Sequence, residues 1–117
     1  MKVAEVLSSQ ESLRVLVETK MVARASFKVS LLVKKLEEYV KTYQESREKL
    51  IKEFGVESTE SPGQFSFVPE NQVKFVEQHT SLLDVVVDVN VNKIKADDIL
   101  GGIEPKHLLM LEWLIEE

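Results

Sequence analysis

Between Val22 and Leu50, apolar residues recur at alternating steps of three and four: Val22, Ala25, Val29, Leu32, Leu36, Tyr39, Tyr43 and Leu50, with Ser46 as a polar break. That spacing holds one stripe on one side of an α-helix and predicts an amphipathic helix from Val22 to about Phe54. Val33, Val40 and Ile51 widen the stripe beyond a strict coiled-coil seam. Opposite charges fall four apart, glutamate first, at Glu37/Lys41, Glu45/Lys49 and Glu48/Lys52. Each pair adds ~0.2–0.5 kcal/mol on an exposed face. Gly55 stands where a helix stop is expected. At ~1.5 Å per residue the helix is about 50 Å long, more than a compact domain of this size covers alone.

The flanking segments are shorter. Ser8 and Glu11 have capping-box spacing ahead of Leu13, Leu16 and Val17, which predicts a helix of about three turns with a bend at Thr19-Lys20-Met21. Glu57 to Gln64 (ESTESPGQ) reads as a loop with a Pro62-Gly63 turn, and Phe65-Ser66-Phe67 as a short strand. Pro69 opens a helix carrying Val73, Val76 and Leu83 on one side, with Phe75 and Leu82 beside them. Val85, Val87, Val89 and Val91 alternate with Val86, Asp88 and Asn90, the pattern of a strand with one buried face. Asp97 to Gly102 reads as a helical turn ending at glycine, and Pro105 opens a terminal helix with Leu108, Leu111, Leu114 and Ile115 on one face, widened by Leu109 and Trp113. The expected fold class is mainly α (α+β), one domain over residues 1–117. One long amphipathic helix supports shorter helices and a small two-stranded antiparallel β element, because such a ribbon is unstable on its own.

Composition narrows the chemistry. The 117 residues suit one domain with its own core. With no cysteine, disulfides and thiolate chemistry are excluded. No apolar run reaches the ~18 residues of a membrane span, and MKVAEVLSSQE turns polar too soon for a secretory signal, so the expected setting is the cytoplasm. The net charge of −5 is divided unevenly: residues 1–55 hold 11 basic and 8 acidic residues, residues 56–117 hold 4 and 12. The mildly basic helical half and the acidic α/β half are therefore expected to pack on each other with complementary surfaces.

Catalytic constellations are hard to find. The histidines are His79 and His107, no serine lies in a Gly-x-Ser-x-Gly elbow, and the four glycines form no phosphate loop. No cofactor is implied. Glu104 and His107 form one Glu-x-x-His, but a di-iron bundle needs a second copy and further glutamates, so the pair reads as helix-start chemistry. Neighbouring carboxylates at Glu37-Glu38 point in different directions on a helix, and Asp97 or Asp98 is expected to cap the turn that follows. From Thr19 to Leu36 there are five cations, Lys20, Arg24, Lys28, Lys34 and Lys35, and no acid. Lys20, Arg24 and Lys28 stand four apart and form a candidate anion-binding row that could track a phosphate backbone. Read as lacking interleaved aromatic or amide groups, the row fits acidic residues of the chain's own second half, or of a partner protein, better than nucleic acid.

Three segments together resemble a known group. Ser9-Gln10-Glu11-Ser12-Leu13, Tyr43-x-x-x-Arg47-x-Lys49-Leu50-Ile51-x-x-Phe54-Gly55 and Leu108-x-x-Leu111-Glu112-x-Leu114-Ile115-Glu116 resemble, in order and over most of the chain, small proteins encoded by tailed bacteriophages and prophages. The resemblance implies a phage origin and a small accessory or assembly role, without residue-level roles. The expectation is a non-enzymatic interaction protein, in the host cytoplasm or on the virion, that self-associates or docks on a phage or host protein. Its expected interface is Val29, Leu32, Leu36, Tyr39, Tyr43 and Leu50, unless the second half folds over that seam as ordinary core. Two alternatives stand beside it: an inhibitor that offers its acidic half to a host enzyme, and a weak nucleic-acid binder using Lys20, Arg24 and Lys28.

Overall fold

The expected long helix forms over Ala23–Phe54 and is the third of five α-helices in a computed structural model that describes residues 1–116. Before it lie α1 (Val3–Ser8) and α2 (Gln10–Glu18). After this third helix, α3, come β1 (Val56–Glu57), β2 (Phe65–Ser66), α4 (Pro69–Leu83), β3 (Ile94–Lys95), a 3-10 turn (Ala96–Asp98), α5 (Pro105–Met110) and β4 (Ile115–Glu116). The protein is mainly helical with a small two-stranded antiparallel sheet.

The seam divides at Leu36. Ala25, Val29, Leu32 and Leu36 are buried, whereas the described residues of α3 beyond Leu36 are at most half-buried. The first four pack with Val6, Leu13, Leu16, Ile94, Leu111 and Leu114, so the core draws on both ends of the chain. Beyond the body α3 is accompanied by α4 and the β1–β2 ribbon. The molecule measures 53 × 28 × 23 Å with a radius of gyration of 18.0 Å. A compact chain of this length would have about 13 Å. A body and a projecting helical arm account for the excess.

Several local expectations are corrected. The capping box at Ser8 and Glu11 does not form. Ser8 Oγ donates back to Ala4 O at 2.9 Å and Ser9 Oγ to Glu5 O at 2.8 Å, hydroxyls turned onto the preceding turn rather than forward. Helix therefore begins earlier, at Val3, where burial of Val3 and Val6 holds it, and a break at Ser9 separates α1 from α2. The bend after α2 is present, tied by Leu100 N and Gly101 N to Lys20 O, both at 2.9 Å. Gly101 allows that approach, because a Cβ there would lie 2.8 Å from Thr19 Cγ2.

The strand partners also differ. Phe65–Ser66 pairs with Val56–Glu57, part of a stretch read as loop, in antiparallel register Val56↔Ser66 and Glu57↔Phe65. Gly63 at φ 92 turns the hairpin. A local hairpin needs far less chain closure than a pairing across α4. Val85 to Val91 forms no strand beyond an antiparallel bridge of Val86 to Lys2. Val87, Val89 and Val91 lie against the core, Val85 is exposed, and the segment bonds the N-terminus, Val3 N to Val85 O at 2.9 Å and Val87 N to Met1 O at 2.7 Å. The terminal helix stops at Met110. Leu111 and Leu114 turn inward, and β4 pairs in parallel with β3, Ile94↔Ile115.

Candidate functional site

The six seam residues separate into two roles. Val29, Leu32 and Leu36 belong to the core, covered by the chain's own α1, α2 and second half, and this corrects their assignment to an outer interface. Tyr39, Tyr43 and Leu50 are half-buried on the arm. Tyr39 Oη donates to Asp88 O at 2.7 Å, and Tyr43 Oη shares a 2.7 Å hydrogen bond with His79 Nε2. These polar tips tie α4 and the following segment to α3.

The arm is only half a core. Phe67 meets Phe75 with ring centroids 4.9 Å apart, and Phe75 stacks on His79 at 5.6 Å and 7°. Of the 15 residues of α4, none is buried. Phe75, His79 and Leu82 are half-buried, while Val73 and Val76, one turn apart, are 59% and 53% exposed. Glu70 and Glu77, three before and four after Val73, lie beside it on the helix surface. The sequence places Val73 and Val76 on one side of α4, but periodicity does not reveal that α3 uses a different side.

The cationic row is partly consumed. Arg24 Nε donates to Asp98 Oδ2 at 3.0 Å and Nη2 to Oδ1 at 2.8 Å, a bidentate pair joining the two halves. Asp98 therefore does not cap the turn that follows it. The Arg24 hydrogen bond holds the Asp98 carboxyl below the usual carboxylate range, against the opposing effect of burial. Lys28 Nζ reaches Lys93 O at 3.4 Å, and Lys20 is exposed.

Because the Asp98 pKa is depressed on folding, its contribution is complete above the ordinary carboxylate value of about 3.9 and is lost as pH falls through the lower folded value. Asp98→Asn is expected to lower stability at pH 7 and flatten the acid limb, so that the urea-derived stability curves of variant and parent converge towards pH 2. A constant gap between pH 7 and pH 2 would contradict the pairing.

An aromatic is interleaved with the cations after all. Phe27 is 66% exposed and Leu31 51% exposed, one turn apart on the side of α3 opposite the core stripe. Arg24 lies three positions before Phe27, and Lys34 and Lys35 follow Leu31 at three and four. The signal was visible in sequence as an apolar pair half a turn away from the seam.

Ser12 and His107 form the contact closest to a catalytic pair, with Ser12 Oγ 2.9 Å from His107 Nδ1. Both are buried, and a cleft of about 710 Å³ between α2 and α3 is lined by the Ser12 neighbours Glu11 and Leu13 rather than by Ser12 or His107. The contact pins α2 to α5. Glu104 turns instead to Lys106 at 3.6 Å, so the Glu-x-x-His residues have separate partners. Among the described residues no group of three or more His, Asp or Glu is placed to hold a metal, and no helix is long and apolar enough to cross a membrane. No family model, curated protein or solved structure matches the chain.

Proposed function

We propose that the protein is a non-enzymatic, phage-type interaction and assembly protein that docks through the α3/α4 arm, on itself or on a larger phage or host protein. The observation that carries this reading is a 15-residue helix without one buried side chain, presenting Val73 and Val76 to solvent beside a half-finished aromatic layer. Covering a valine is worth roughly 1.5–3 kcal/mol when burial is complete, so the pair supplies a useful part of a specific contact. The resemblance to small phage and prophage proteins supports an accessory, assembly-related role in the host cytoplasm or virion. The expected docking surface moves outward from the seam to the arm, since Val29, Leu32 and Leu36 are already covered.

Val73→Glu with Val76→Glu tests it. Both positions are exposed, so the thermal midpoint should stay near that of the parent, within about 0.5 kcal/mol per site. The assembled mass seen by light scattering, or co-purification with a defined assembly partner, should be lost. A folded double variant that associates as the parent does would remove the arm from the function.

A further inference from the structure

We infer that the arm's partner is a second copy of this chain, which it meets head to tail through the basic face around Phe27 and Leu31. This rests on the arm reading above and names its occupant. Among the solvent-facing apolar groups, which also include Val85-Val86 and Leu108 to Met110, two helical pairs have opposite electrostatic surrounds. Phe27 and Leu31 lie in a segment, Thr19 to Leu36, with five cations and no acid. Val73 and Val76 lie between Glu70 and Glu77 on α4, with Lys74 as the one cation of that stretch, a net charge of −1.

The two pairs cannot meet within one molecule. Tyr43 is bonded to His79, which sets α4 alongside the far half of α3, so Val73 lies roughly 30 Å from Phe27 along the helix axis at ~1.5 Å per residue. They also occupy different sides of α3, because α4 covers the seam side and Phe27 and Leu31 face away from it. The contact is therefore intermolecular.

Charge decides its symmetry. A twofold contact of body on body brings Lys34 and Lys35 towards their own copies with no acid between them, and arm on arm offers Glu70 and Glu77 only Lys74 as a partner. Like-charge juxtaposition of this kind is costly, whereas arm on body pairs each apolar stripe with a complementary rim. A contact between two different patches closes into a ring or continues as a filament. A polyanion suits the basic face less well. Arg24 is already held by Asp98, Leu31 offers nothing to a phosphate, and the chain carries a net charge of −5.

The test uses two double variants of the full chain, each with one face removed: Phe27→Asp/Leu31→Asp and Val73→Glu/Val76→Glu. Each is expected to run as a folded 13.4 kDa monomer under conditions in which the parent forms larger species. Mixed in equal amounts they should give a two-chain species, twice that mass and no larger, because one good arm and one good body face remain. Should Phe27→Asp/Leu31→Asp fail to fold, Lys34→Glu/Lys35→Glu takes its place and leaves the apolar pair intact.

A mixture of folded variants that stays monomeric overturns the head-to-tail contact. If the body variant keeps the parent's mass while the arm variant loses it, the basic face is not the partner but the arm reading stands. A parent that is monomeric at high concentration overturns the second-copy proposal, and salt-sensitive retention of a labelled oligonucleotide on its basic face would then give that face another occupant.

Discussion

Leu36→Glu is expected to unfold the protein. Leu36 is 3% exposed and lies in the cluster with Leu13, Leu16, Val29, Leu32 and Leu111. A carboxylate there either stays charged in an apolar site or takes up a proton at neutral pH. Either outcome, together with lost packing, costs more than ~4 kcal/mol. Total stabilities of such domains are about 5–15 kcal/mol, so most of the margin is consumed. Leu50→Glu, two heptads further along the same stripe, is the control. Leu50 is half-buried on the arm, and its loss should cost about 1 kcal/mol and leave the body folded. Far-ultraviolet circular dichroism with urea titration reads both. A cooperative Leu36→Glu transition within ~1 kcal/mol of the parent would show that the seam is not core at that point.

The contrast between these two leucines marks how far the sequence was legible. Period identifies a stripe, so the long helix, its stop at Gly55 and its apolar face were all readable from spacing. What covers the stripe depends on residues far away in the chain, and Val29, Leu32 and Leu36 are indistinguishable by pattern from Tyr43 and Leu50. The same limit applies to Val85–Val91, whose alternation gave the inward side chains of Val87, Val89 and Val91 but not of Val85, while its partner, Met1 to Val3, lies more than 80 positions away. Arg24 and Asp98 are 74 residues apart, and the charge asymmetry of the two halves hints only that some such pair should exist. Capping failed for a local reason: Ser8 and Ser9 have carbonyl acceptors in the turn behind them as well as N–H donors ahead, and the turn behind was already helical. Two-residue strands such as β1 are too short to carry a period at all. Phe27 and Leu31 lie off the seam, where a single apolar period does not distinguish an apolar patch from a solvated face.

The end of the chain offers a direct test of one such correction. A helix continuing from Pro105 through Ile115 would place Leu108, Leu111, Leu114 and Ile115 on one face and bury them together. In the structure the helix stops at Met110, Leu108 is 38% exposed, and Leu114 is buried, its carbonyl accepting the Ile94 N–H at 2.9 Å. Leu114 thus lies under the parallel β3–β4 pair, against Ile94, at a site that has little freedom to collapse. Leu114→Ala should therefore cost about 2–5 kcal/mol, the range for truncating a buried leucine with a residual cavity. Leu108→Ala should cost about 1 kcal/mol or less, since much of that side chain already meets water. Urea unfolding of the two variants separates the alternatives, because a continuous helix buries Leu108 as well as Leu114 and makes both positions costly. Equal losses, or a larger loss at Leu108, would mean that the last turn winds on and that Ile94 has no strand beside it.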